Sequence, residues 1–218
     1  MPHRYDLIVF DWDGTLMDSA ALIVDSLQSA SRDLGLEVPS VAQARHVIGL
    51  GLSEAIAYLF PSLPAEDYDA LVERYRHHYL GRDEATPLFA GVDTLLAHLH
   101  QSGFMLAVAT GKSRRGLDRA LDNTGVRSWF HASRCADESL SKPHPEMLLQ
   151  LMDHLGSSPE RTLMIGDTSH DLGMARAAKV DGLAVSYGAH TEPALRAEHP
   201  LACLPSVEAL RLWLNNNA

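Results

Sequence analysis

The 218-residue chain is 46% apolar and 21% charged, ordinary globular usage that excludes a disordered or collagen-like polymer and predicts one or two domains. Its formal net charge is −10, with 18 Lys and Arg against 28 Asp and Glu, which argues against a nucleic-acid coat or an anionic-membrane binder, because both need a basic face. Two distant cysteines, Cys135 and Cys203, and the absence of any 18-residue apolar run or signal-like N-terminus point to a reducing, cytoplasmic setting with no disulfide framework, zinc site or membrane span.

The first predicted element is an apolar run, Leu7–Phe10, read as a strand buried on both faces because it does not alternate. From about 17 to 85 the pattern is helical instead. Leu22, Val24, Leu27, Ala30, Ser31 and Leu34 follow helical spacing, as do Tyr68, Leu71, Val72 and Tyr75, while Pro39, Pro61 and Pro64 divide the stretch into about four helices. Next, Val92, Leu95, Leu96 and Leu99 mark a helix that leads to a strand at Phe104–Ala109. A weaker strand signal lies at 130–134. A helix through Leu148, Leu151, Met152 and Leu155 precedes strands at Thr162–Ile165 and Gly182–Ser186. Gly103, Gly125 and Gly156 fall where helix C-caps belong. Strand–helix alternation after residue 86 predicts an α/β fold, a doubly wound parallel sheet, interrupted by an inserted all-α domain. The expected boundaries are 1–16 and 86–218 for the sheet domain and 17–85 for the helical one.

The strongest chemical signal ends the first strand: Asp11-Trp12-Asp13-Gly14-Thr15-Leu16. Open parallel sheets bind ligands beyond the carboxyl ends of their strands, and two carboxylates at i and i+2 leaving a strand can both reach that crevice. Asp13-Gly14 is equally a turn dipeptide. A calcium loop fails, because it needs a Glu where Leu22 stands. A second apolar run ends at Gly166-Asp167-Thr168-Ser169-His170-Asp171, where Asp167 could simply be the N-cap of a helix holding Asp171 in its first turn. Like charges about 4 Å apart repel by about 4 kcal/mol per pair at an effective dielectric near 20. Converging Asp11, Asp13 and Asp167 therefore call for a cation, and oxygen ligands beside a phosphate favour Mg2+. Thr110-Gly111-Lys112 follows another strand, so a hydroxyl and turn amides can cradle an anion on the same edge. Lys142, in Ser141-Lys142-Pro143, could add an ammonium.

In order, Asp11-x-Asp13-Gly-Thr, Thr110, Lys142-Pro143 and Gly166-Asp167-x-x-x-Asp171 resemble the four motifs of the haloacid-dehalogenase-like superfamily of phosphohydrolases, across nearly the whole chain. The helical insertion resembles the small cap domain of its phosphoglycolate-phosphatase subgroup. Trp12 and Gly111 depart from the usual residues; Trp12 is expected to face away from the metal. The resemblance implies that Asp11 is a nucleophile forming an aspartyl-phosphate and Asp13 a general acid/base. It also implies Mg2+ held by Asp11, the Asp13 carbonyl and Asp167 with support from Asp171, and charge neutralisation by Lys142 and Thr110. Dehalogenases of the superfamily typically lack the second Asp, so Asp13 favours phosphate.

Rival readings leave weaker traces. Gly111-Lys112-Ser113 ends like a P-loop, but the required glycine would fall at Leu106, in mid-strand. A non-enzymatic binding or regulatory protein on the same fold would tolerate replacement of a catalytic position, and none is replaced. No His-Glu-x-x-His occurs among the twelve histidines, and adjacent His77 and His78 would face differently on a helix, so these read as surface residues. Arg45 and His46, beside Gly49 and Gly51, could form a substrate loop. With Gly111 and Lys112, Arg45 is the expected substrate contact. The expected partner is a small anionic phosphate ester, 2-phosphoglycolate first, with a sugar phosphate, nucleotide monophosphate, pyrophosphate or mutase substrate as alternatives.

Overall fold

Strand β1 (Leu7–Phe10) is buried at every residue, as a non-alternating run must be when both faces are covered. In the computed structural model, which describes residues 3–218, β1 lies at the centre of a six-stranded sheet. The first two residues of the expected sheet domain lie outside that range. The other strands are β2 (Met105–Thr110), β3 (Ala132–Cys135), β4 (Thr162–Gly166), β5 (Asp181–Val185) and β6 (Cys203–Leu204). All pairs are parallel, in the order β3-β2-β1-β4-β5-β6. Connections from β1 therefore run out to both sides, and the crevice opens beyond the carboxyl ends of β1, β2 and β4.

Strand bounds depart from expectation by a residue or two: β3 ends one residue after the predicted 130–134 stretch and β5 begins one residue before the predicted Gly182. The second strand runs one residue later than predicted, so Thr110 closes β2 instead of following it. The two-residue β6 was not expected, being too short to carry any periodic signal.

Alternation along β1 divides the core. Ile8 and Phe10 join Leu95, Leu96 and Leu210 on one face, covered by α5 (Val92–Gln101), α6 (Arg114–Thr124) and α10 (Val207–Asn217). Leu7 and Val9 join Met147, Leu151 and Met174 on the other, under α7 (Glu146–Leu155) and α8 (Ser169–Ala177). Gly125 and Gly156 cap α6 and α7 in the left-handed conformation that glycine adopts without strain. A five-residue α9 (Glu192–Arg196) follows β5.

Between β1 and α5 the elements are helical: α1 (Ala20–Asp33), α2 (Val41–His46), α3 (Leu52–Leu59) and α4 (Tyr68–Tyr79). They build two apolar clusters, one of which also takes in Ala189 from the loop after β5. Val24 and Leu27 pack with Ala44, Val47 and Ile48, and Ala30 packs with Ile56, Phe60 and Leu71. Leu34 falls outside this face: it terminates α1 and is exposed. Among the described residues, no helix is long and apolar enough to cross a membrane.

Candidate active site

The chain leaves β1 at Asp11, whose amide still bonds the Ile165 carbonyl of β4 at 2.9 Å. It then turns at Gly14, where φ is +86°. A side chain there is barred twice over, by the left-handed backbone and by space: a Cβ would lie 2.2 Å from Asp167 Oδ2. The Asp-Gly turn and the functional reading thus coexist, since the glycine lets the Asp167 carboxylate approach the first motif. Trp12 points into the core, its indole N–H donating to Met17 Sδ at 3.1 Å.

Carboxylate oxygens of Asp11, Asp167 and Asp171 lie within 4.8 Å of one another, and all three residues are fully buried. Lys142 reaches the same point from the loop before α7. Its ammonium donates to Asp11 Oδ1 and to Asp171 Oδ1, both at 2.6 Å. Thr15 Oγ1 donates to Asp167 Oδ1 at 2.7 Å, and the Ala189 amide donates to Asp167 Oδ2 at 2.6 Å. Asp167 is not the helix cap that the sequence suggested. Thr168 caps α8, and Asp171 closes a capping box by accepting from the Thr168 amide at 3.1 Å and hydroxyl at 2.6 Å. Asp171 is therefore fixed by its own helix terminus and orients Lys142.

One ammonium faces three carboxylates. Burial pushes the Asp11 carboxyl well above the ordinary range; Lys142 opposes this, while Asp171 and Asp167 reinforce it. Burial, aided by Asp171, lifts Asp167 to about 7 against the hydrogen bonds it accepts. For Lys142, burial favours the neutral amine, but Asp11 and Asp171 outweigh it and hold the group charged. Among the described residues, Asp11 Oδ2 is left buried without a hydrogen-bond partner. An unpartnered carboxylate oxygen in a cluster with surplus negative charge suits a divalent hard cation, so these donors fit Mg2+.

Asp13 does not turn its side chain into the triad. Its Oδ1 accepts from Ser19 Oγ at 2.6 Å and pairs with Lys112 Nζ at 3.0 Å. Lys112 also donates to the Tyr79 hydroxyl at 2.7 Å. Burial works against the Lys112 ammonium, yet Asp13 and Tyr79 keep its pKa raised. Asp13, Lys112 and Tyr79 form part of the wall of a cavity of about 610 Å³, with Ile23, Leu50 and Arg119 among the other lining residues. Thr110 Oγ1, at the end of β2, accepts from the Lys112 amide at 3.2 Å, so its own proton is free for another acceptor. Gly111 lies against the helical segment, where a Cβ would fall 2.3 Å from the Leu50 carbonyl oxygen.

The structure thus brings together Asp11, Asp13, Thr110, Gly111, Lys112, Lys142, Asp167 and Asp171 at one sheet edge. Arg45 does not join them, contrary to the expected substrate contact. Its guanidinium donates to the Gly188 carbonyl at 2.8 Å and the Ala189 carbonyl at 3.0 Å, tying α2 to the loop after β5. Nor are all histidines scattered over the surface, for His46, His170 and His190 converge. Sequence reasoning also missed Tyr79, Ser19 and the Ala189 amide. The Thr15 contact to Asp167 was also missed, although Thr15 stands within the first motif, and Ser19 lies only six residues beyond Asp13; Tyr79 and Ala189 are brought in by tertiary folding.

The family model for haloacid dehalogenase-like hydrolases matches residues 8–185. The protein named "Probable phosphatase IndB" of Dickeya dadantii is 36% identical over 200 residues, covering 89% of this chain and 86% of that protein. A protein named phosphoglycolate phosphatase from Agrobacterium fabrum is 32% identical over 199 residues, covering 88% and 85%. The crystal structure of a hydrolase from Pseudomonas syringae superposes with a TM-score of 0.89 over 99% of each chain at 21% identity, a likeness of fold. With more than half its length matched by the model and all four motifs gathered at one sheet edge, the chain belongs to the haloacid dehalogenase-like hydrolases.

Proposed function

We propose that this hydrolase is a Mg2+-dependent phosphatase that cleaves a phosphomonoester through an aspartyl-phosphate on Asp11, with 2-phosphoglycolate as the first substrate to try. The observation that carries the reading is the unpartnered Asp11 Oδ2, buried beside Lys142 and two further carboxylates. Asp11, Asp167 and the Asp13 carbonyl would hold the ion, with Asp171 in support. When bound, the ion supplies charge neutralisation, both to the acidic cluster and to an incoming phosphate.

In this mechanism Asp11 attacks phosphorus in line, forming an O–P bond as the ester O–P bond breaks. Asp13, held by Ser19 and Lys112 at the cavity wall, gives its proton to the leaving alkoxide and then takes one from the water that hydrolyses the aspartyl-phosphate. Lys142 keeps Asp11 oriented and can direct its third N–H at the transferring group, joined by the Thr110 hydroxyl. Residues 17–85 act as a cap domain that roofs the cavity, and the segments 1–16 and 86–218 form the catalytic core. Cys135 and Cys203 are free thiols, in keeping with a cytoplasmic setting.

The name of the Agrobacterium relative supports 2-phosphoglycolate. Cavity size favours a second reading. About 610 Å³ falls within the range of sites that enclose drug-sized ligands, about 300–1,000 Å³, and a two-carbon acid fills little of it. A sugar phosphate or nucleotide monophosphate would use the apolar wall at Ile23 and Leu27. The test is a phosphate-release screen over small and large phosphomonoesters, with and without Mg2+, using Asp11→Asn as control. Mg2+-dependent release above the control supports the proposal. If no ester, p-nitrophenyl phosphate included, turns over above the control, the phosphatase reading is wrong.

A further inference from the structure

Three imidazoles meet where the helical segment abuts α8 and the loop after β5. His46 ends α2, His170 lies in the first turn of α8, and His190 stands in the loop after β5. One ring nitrogen from each lies within 4.8 Å of the others. Ring centroids are 5.4 Å apart for His46 and His170, 5.5 Å for His46 and His190, and 5.2 Å for His170 and His190. None of the three lines the large cavity, and the phosphatase reading gives them no task. We propose that His46, His170 and His190 form a second metal site, one for a borderline divalent ion such as Zn2+, Co2+ or Ni2+, that staples the helical segment to the sheet.

The chemistry of the donors separates this site from the carboxylate triad. Three neutral nitrogens suit zinc and its neighbours, whereas oxygen donors suit Mg2+. His170 Nε2 and His190 Nε2 converge on the His46 carbonyl oxygen, donating to it at 2.7 and 3.2 Å, so an ion has to displace that oxygen to take both nitrogens. Tetrahedral ligands about 2.0–2.1 Å from zinc sit about 3.4 Å apart, so the nitrogens must close by little more than 1 Å. His46, with its ring half-buried, can swing to do so.

Capture at the Nε2 atoms requires both rings to carry their proton on Nδ1. For His190 that replaces the bond from the Ser169 amide at 3.0 Å, and Ser169 Oγ, 3.3 Å away, becomes the acceptor. No net proton is released by this exchange of tautomers. Affinity is reduced by the hydrogen bonds surrendered, and three ligands leave the fourth position to solvent.

The test is a Zn2+ titration by calorimetry, in saturating Mg2+ so that the carboxylate triad is occupied, repeated with Co2+ for its visible absorption. Wild type should bind one tight Zn2+ per chain, and the Co2+ spectrum should report nitrogen ligands. His46→Ala should weaken that binding at least about 100-fold, the upper end of what loss of even a supporting group costs. His190→Gln should do the same, while Asp11→Asn and His77→Ala keep the site. Far-UV circular dichroism checks that each variant is folded, and His46→Gln serves if His46→Ala is not. Zn2+ should also raise the thermal midpoint of wild type and leave that of His46→Ala unmoved. Equal Zn2+ affinity in wild type and the folded His46 variant overturns the proposal. So does binding removed by Asp11→Asn and retained in His46→Ala, which would place the ion in the carboxylate triad.

Discussion

Asp167 gives the sharpest quantitative test of the electrostatic argument. Its carboxyl moves from an ordinary 3.8 to about 7 in the folded chain, chiefly through burial and then through Asp171. That displacement disfavours the ionised, folded form by about 4 kcal/mol. The sign follows from proton uptake. Between pH 4 and 7 the folded state holds a proton on Asp167 that the unfolded state has lost, so stability falls as pH rises through this window. Asp167→Asn removes the charge but places an amide where two oxygens now accept from Thr15 and Ala189. One of those donors loses its acceptor, at a cost of about 1–3 kcal/mol. In EDTA at pH 8 the variant should therefore exceed wild type by about 1–3 kcal/mol, and the advantage should vanish or reverse at pH 4. Urea unfolding at both pH values measures this, and comparing the two proteins cancels the contributions of other titrating groups. Adding Mg2+ at pH 8 should stabilise wild type and leave the variant almost unchanged. A difference between the two proteins that is independent of pH, with no stabilisation of wild type by Mg2+, would refute the surplus-charge account.

Further expectations concern single side chains. Asp13→Ala should lower kcat by about 10²–10⁴-fold while Mg2+ binding, followed by calorimetry, stays within a few-fold of wild type, because its side chain points to Ser19 and Lys112 and not into the triad. Loss of Mg2+ affinity as the main effect would contradict the acid/base role. Gly111→Ala should sharply reduce turnover with little loss of overall fold, since its Cβ would push the Leu50 carbonyl away from the end of β2; unchanged kcat and KM would count against this close approach. Leu71→Ala, at a fully buried position among Ala30, Ile56 and Phe60, should cost about 2–5 kcal/mol by urea unfolding. A loss below 0.5 kcal/mol, the scale of an ordinary surface substitution, would mean the helical cluster is not packed as described.

The sequence determined those features that depend on neighbours along the chain. Non-alternating runs at Leu7–Phe10 and Thr162–Ile165 announced buried parallel strands, and left-handed glycines closed α6 and α7 where the pattern placed them. Because parallel strands all deliver their carboxyl ends to one edge, motifs written after Phe10, Ala109 and Ile165 were bound to meet there. Tertiary structure decided which way each side chain turned. Asp13 and Asp171 are both acidic neighbours of strand ends, yet Asp13 turns to Lys112 and Asp171 to Lys142, and only three-dimensional packing separates them. The same holds for Arg45 and His46, adjacent residues that read as a substrate loop. Folding commits Arg45 to carbonyls 143 and 144 residues away and sets His46 against the rings of His170 in α8 and His190 after β5. Contacts of that span leave no periodic or motif trace, because nothing in local chain geometry relates the partners until the helical segment has closed on the sheet.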